Sequence, residues 1–147
     1  MYSDNWMKIY AIDTNILVRL LVLVDEEQTR IAEDLLLHSR LVIMWSVLLE
    51  TEWILRSVVK ADRKTVNEKF RFLLTMPSLE VEQPEEMARV LDLHEAGMDF
   101  ADAMHVVLAG TRTFITFDRA LVRRAKRKWP EARVKLAQDA GEDSQGS

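Results

Sequence analysis

The chain predicts an α/β fold with a central, mainly parallel sheet covered by helices on both faces. Three observations carry this expectation. Short apolar runs alternate with stretches of helical periodicity along the whole sequence. No internal repeat or linker interrupts that alternation across the 147 residues. Apolar residues make up 48% and charged residues 30%, the composition of a packed globular domain and not of a disordered chain.

Taken in order, Lys8–Ile12 reads as a short buried strand. Asp13, Thr14 and Asn15 then supply turn and N-cap chemistry ahead of "ILVRLL". Glu27–His38 has helical spacing, with Ile31 and Leu35 expected to face inward. "LVIMWSV", Leu41–Val47, is a second strand, followed at once by a helical segment through Val59. Lys64–Leu74 is helical with Val66, Phe70 and Leu73 on one face, and Pro77 closes it. Leu79–Glu82 is a brief strand, and Pro84 opens a helix reaching Glu95. Asp99–Ala109 forms another helix ended by Gly110, and "TFITF" makes a strand. Arg119–Lys128 is a helix stopped near Pro130, and "ARVKLA" forms the last strand. In such sheets ligands bind outside the carboxyl ends of the strands, which directs attention to the polar residues there.

One domain is expected over residues 7–137, with an N-terminal extension over 1–6 and a disordered acidic tail over 138–147. Met7 is an alternative start to Met1. No apolar stretch reaches eighteen residues, and the N-terminus lacks the basic-then-apolar order of a secretory leader, so the expected address is cytoplasmic. The absence of cysteine excludes disulfides and thiolate metal sites. Net charge is −4, yet eight basic residues against Glu131 alone lie between Arg119 and Lys135. That stretch suits a polyanion or a solvated helix face.

Carboxylates recur where chemistry is expected. Asp13 and Asp118 each follow a strand and precede a helix, where either serves as a helix cap or as a ligand. Asp99 and Asp102, three apart, lie about 60° apart around a helix and share a face. Asp102 interrupts an otherwise apolar helix, where a carboxylate is costly without a partner. Glu50 falls one turn from Ser46 and Trp53, and Glu52 lies about 200° away on a helix, so the two cannot serve one site and spacing alone barely separates them. His105 reads as a packed or hydrogen-bonded histidine and not as a ligand. Carboxylates gathered at one end of a sheet repel unless neutralised. With no cysteine and no paired histidines, an all-oxygen set favours a hard cation, Mg²⁺ or Mn²⁺.

Four segments in order, "IDTNILVRLL", "LLETEWILRS", "GMDFADAMHVVLA" and "TFDRAL", resemble the PIN-domain family, and within it the VapC-type toxins of bacterial toxin–antitoxin pairs. The resemblance implies a PIN-like (Rossmann-like) three-layer sandwich. It implies Asp13, Glu50, Asp102 and Asp118 as catalytic acids, joined by Asp99 as metal ligands, with Thr14, Asn15 and Thr116 lining the same pocket. It further implies a Mg²⁺- or Mn²⁺-dependent endoribonuclease acting on RNA such as tRNA or rRNA, a homodimer, and a cognate VapB-type antitoxin. Arg119, Arg123, Arg124 and Arg127 are the RNA-binding candidates. Two other readings are a non-cleaving RNA- or protein-binding module and a phosphoacceptor signalling domain. The second is disfavoured because no aspartate follows "LVIMWSV" as an acceptor.

Overall fold

A computed structural model describes residues 8–22 and 25–145, with side chains through Gly141. The expected N-terminal extension and the choice between Met1 and Met7 lie outside the described residues. The chain divides into two compact units, Met1–Met87 and Ala88–Ser147. Each contains a parallel sheet flanked by helices, the α/β class that the sequence predicts.

In the first unit, strands β1 (Lys8–Ala11), β2 (Ser39–Ile43) and β3 (Leu79–Val81) pair in the order β1-β2-β3, all parallel. Tyr10 lies opposite Leu41, and Leu41 opposite Leu79, which fixes the register. Helices α1 (Thr14–Leu21) and α2 (Glu26–His38) connect β1 to β2, and α3 (Trp45–Ser57) and α4 (Arg63–Thr75) connect β2 to β3. The central strand β2 buries Ser39, Leu41 and Ile43 in alternation. Leu17, Leu48, Leu55, Val66, Phe70 and Leu73 complete the core around it. Val66, Phe70 and Leu73 line the inner face of α4 as their spacing predicts.

Three expectations need correcting here. β1 is not a buried strand: its four residues are exposed, and as an edge strand of this sheet it has one paired neighbour. α2 turns inward Thr29 and Ala32, while Ile31 is 53% exposed and Leu35 only half-buried. Small side chains let a helix approach its neighbours closely, and α2 packs on α1 and β2. The second strand ends at Ile43, so Trp45–Val47 belong to α3. Trp45 is buried there, and its indole Nε1–H donates to the Glu82 carbonyl at 2.6 Å.

Helix α5 (Pro84–Glu95) begins in the first unit and continues into the second. The second unit then has α6 (Phe100–Ala109), β4 (Phe114–Thr116), α7 (Arg119–Lys128) and β5 (Val134–Leu136). β4 and β5 pair in parallel, Phe114 opposite Val134 and Thr116 opposite Leu136, with α7 as the crossover. Gly110 ends α6 at φ +63°, a left-handed conformation that favours glycine. Leu121, Val122 and Ala125 bury one face of α7 and leave its basic residues outward. Where disorder is expected from residue 138, the chain instead continues as 3-10 helix over Ala137–Gln145 and packs on β4 and β5. The sheet offers that segment a surface that tail composition does not disclose. Among the described residues no helix is long and apolar enough to cross a membrane.

Candidate carboxylate site

Strand ends set the positions of the acids. In the first unit β1 runs out through Ile12 into Asp13, whose backbone is extended (φ −80°, ψ 164°) as an N-cap requires. Its Oδ1 accepts from the Thr14 amide at 2.7 Å. The cap reading of Asp13 therefore holds as local structure, and it leaves the second carboxylate oxygen for other work. Thr14 is buried, and its hydroxyl donates to Glu50 Oε2 on α3 at 3.0 Å, across 36 residues of chain. This bond joins the residue after Asp13 to Glu50 and separates the two glutamates of "ETE". Glu50 is exposed and held by Thr14, while Glu52 is half-buried. Asn15 is exposed on α1.

In the second unit the acids cluster at helix starts. Asp99 caps α6, its Oδ2 accepting from the Asp102 amide at 3.3 Å. Asp118 follows β4 and caps α7, its Oδ1 accepting from the Leu121 amide at 3.0 Å. Thr116 fixes this turn from the strand side, its Oγ1 accepting from the Asp118 amide at 3.0 Å. Asp102 sits on the first turn of α6, half-buried, and burial pushes its carboxyl above the ordinary carboxylate range. The negative charges of Asp99 and Asp118 push it further in the same direction, against weaker opposing effects of His105 and Arg124. Asp99 and Asp118 thus lie close enough to Asp102 to oppose its ionisation.

His105 is exposed and stacks nearly parallel on Phe114, with ring centroids 6.1 Å apart, so it is a surface stacking residue and not a packed one. Arg119, Arg123, Arg124 and Arg127 are exposed along α7. Sequence reasoning passed over Phe117, which is 85% exposed directly before Asp118. Its signal was an aromatic residue between a strand and a cap acid, with no apolar partner at helical spacing.

Among the described residues no three His, Asp or Glu side chains form a ready-made metal cage. The donor chemistry nevertheless fits a hard cation: the oxygens are carboxylate and hydroxyl, and the crowding at Asp102 is what added positive charge would relieve.

The PIN-domain family profile matches residues 10–127, a span that includes all five acids, Thr14, Asn15, Thr116 and the four arginines. No curated protein matches the chain. PIN domains are generally nucleases and usually bind a divalent metal. With most of its length matched, this chain belongs to the PIN-domain family.

Proposed function

We propose that the protein is a Mg²⁺- or Mn²⁺-dependent endoribonuclease, the toxin of a VapBC-type toxin–antitoxin pair. On this reading it acts in the cytoplasm as a homodimer and is restrained by a small VapB-type antitoxin. The observation that carries the nuclease reading is the crowding of Asp99 and Asp118 on Asp102, whose carboxyl their charges and burial hold above the ordinary range. The toxin assignment rests on the order and content of the four motifs.

By motif, the acids assigned to cation binding are Asp13 and Glu50 within the first unit and Asp99, Asp102 and Asp118 within the second. A hard divalent cation, when bound, offsets the charge that builds on a phosphate under attack. The chain's own residues prepare for this. The Thr14 hydroxyl orients the Glu50 carboxylate. The Thr14 amide fixes one oxygen of Asp13, and the Leu121 amide fixes one oxygen of Asp118. Asp13, Glu50 and Asp118 would therefore meet a cation with less side-chain freedom left to lose.

The test is cleavage of a labelled RNA by the purified chain, with Mg²⁺ or Mn²⁺ and with EDTA. Fragments are expected only with the divalent ion, and Asp13→Asn, which keeps shape but removes charge, slows cleavage at least about 100-fold. Cleavage that survives EDTA, or an Asp13→Asn variant near wild-type rate, overturns the assignment. RNA binding without fragments favours the non-cleaving module. A small reading frame beside the gene, encoding a protein that co-purifies with this chain, tests the toxin assignment separately.

A further inference from the structure

Strand β5 ends its sheet: among the described residues it pairs with β4 alone. The register says which of its backbone groups that pairing uses. Phe114 lies opposite Val134, and the Phe114 amide donates to the Arg133 carbonyl at 2.7 Å. In a parallel ladder, alternate residues of a strand turn their peptide groups to opposite neighbours. The Arg133 carbonyl and the Lys135 peptide groups therefore face β4, while those of Val134 and Leu136 face away from it. Both of these residues are buried, yet both line a groove of about 790 Å³. What they offer that groove is backbone, two amides and two carbonyls along about 7 Å of strand.

Basic side chains border this edge. Lys126, Arg133 and Lys135 line the same groove, against one acid, Asp139. Lys126 lies in the last turn of α7, where a cation suits the helix dipole. That account does not reach Arg133 and Lys135, which stand directly before β5 and within it. Lys126 and Arg133 are exposed, and among the described residues neither takes part in a salt bridge. Cations along an edge repel strands of their own charge and admit strands of the opposite charge. Alternation adds a pattern. Val134 and Leu136 share the buried face of β5, and Arg133 and Lys135 share the other. A strand added at this edge continues both faces, with acids beside the cations and apolar side chains beside Val134 and Leu136.

We propose that the open edge of β5 docks an extended acidic segment of a partner protein, which joins the sheet as a further strand with acidic and apolar residues in alternation. Main-chain hydrogen bonds to Val134 and Leu136 hold the segment, and the basic side chains select its charge. None of the five acids takes part, so this docking stands or falls apart from the nuclease reading.

The test uses the full chain in EDTA and a labelled, end-blocked hexapeptide of alternating glutamate and valine. Fluorescence anisotropy should show binding that weakens as salt rises, and a lysine–valine peptide should bind at least about tenfold more weakly. The acidic sequence N-methylated throughout keeps its charge but has no donors, and should also lose at least about tenfold. Amide hydrogen exchange read by NMR should slow at Val134 and Leu136 when the unmethylated acidic peptide binds. Arg133→Glu, at an exposed position, should weaken that peptide about tenfold and leave the melting point unchanged. Equal binding of the N-methylated peptide, or unchanged exchange at Val134 and Leu136, overturns the added strand. Equal binding of the lysine–valine peptide, or an Arg133→Glu variant that binds normally, overturns the selection by charge. Protection of the two amides that rises with protein concentration alone would give the edge to a second copy of this chain. Protection by single-stranded RNA and not by the peptide would give the groove to nucleic acid. Either result overturns the proposal.

Discussion

The two units hold their carboxylates in different ways. In the first, Glu50 receives a hydrogen bond from a buried hydroxyl 36 residues away, and Asp13 takes the amide of that same threonine. In the second, Asp99 and Asp118 spend their hydrogen bonds on capping helices, and Asp102 stands within reach of both charges. Oriented acids keep their place without further help. Crowded acids repel one another, and Arg124 offsets that only in part. The contrast separates two requirements of an ion-binding nuclease: the first unit displays orientation, and the second displays accumulated charge.

Asp102→Asn probes the second requirement and carries the largest expected effect. Metal-dependent RNA cleavage should fall about 100- to 1000-fold, the scale for removing a group that stabilises developing charge. The same variant, measured without divalent ions, should melt slightly above wild type because one of three repelling charges is gone. Loss of cleavage together with a lower metal-free melting point would erase the distinction between the units. Thr14→Val probes the first requirement. It keeps the buried volume and removes the donor to Glu50, so cleavage should drop about tenfold, the scale of one hydrogen bond to a charged group. Thr14→Ser should retain most of the rate. If valine and serine behave alike, the hydroxyl does not orient Glu50.

How far the sequence disclosed all this depended on the range of the physics involved. The helix starts were legible because capping is local: Asp13, Asp99 and Asp118 act on amides one to three residues away. The inner face of α4 was legible because Val66, Phe70 and Leu73 repeat at helical spacing. The inner face of α2 was not, since three consecutive leucines, Leu35–Leu37, obscure the period and the buried residues are the small Thr29 and Ala32. The exposure of β1 depends on which strands flank it, and order within a sheet is not written in any single strand. The five candidate acids could be named from their motifs. The Thr14–Glu50 bond could not, because it joins positions 36 residues apart through tertiary packing.

Smaller effects sharpen the contrast through stability alone. Asp118→Ala removes the acceptor that caps α7 and should cost about 1 kcal/mol, read by denaturant unfolding without divalent ions. Asp118→Asn keeps an acceptor and should stay near wild type. Equal losses for both would mean that charge, not the cap, is what α7 needs at this position.

The smallest effect compares Asp102 with Asp62, which caps α4 in the first unit. Hydrogen bonds from Thr65, hydroxyl first and then amide, hold the Asp62 carboxyl below its ordinary value of 3.8. The folded state therefore favours ionised Asp62, and that stabilisation is present above the ordinary pKa and lost as pH falls through the lowered one. Asp102 has the opposite sign. Burial and its neighbours raise its carboxyl above 3.8, so the folded state disfavours the ionised form. The penalty is full above the raised value and is relieved as pH falls toward the ordinary one. In metal-free protein the stability of Asp102→Asn minus wild type should be positive at neutral pH, below about 1 kcal/mol, and should shrink on acidification. For Asp62→Asn the difference should be negative at neutral pH and should also shrink toward zero as the wild-type carboxylate is protonated. Differences of the same sign would show that the second unit's acids are as well satisfied as the first unit's, and the case for a cation beside Asp102 would lose its physical basis.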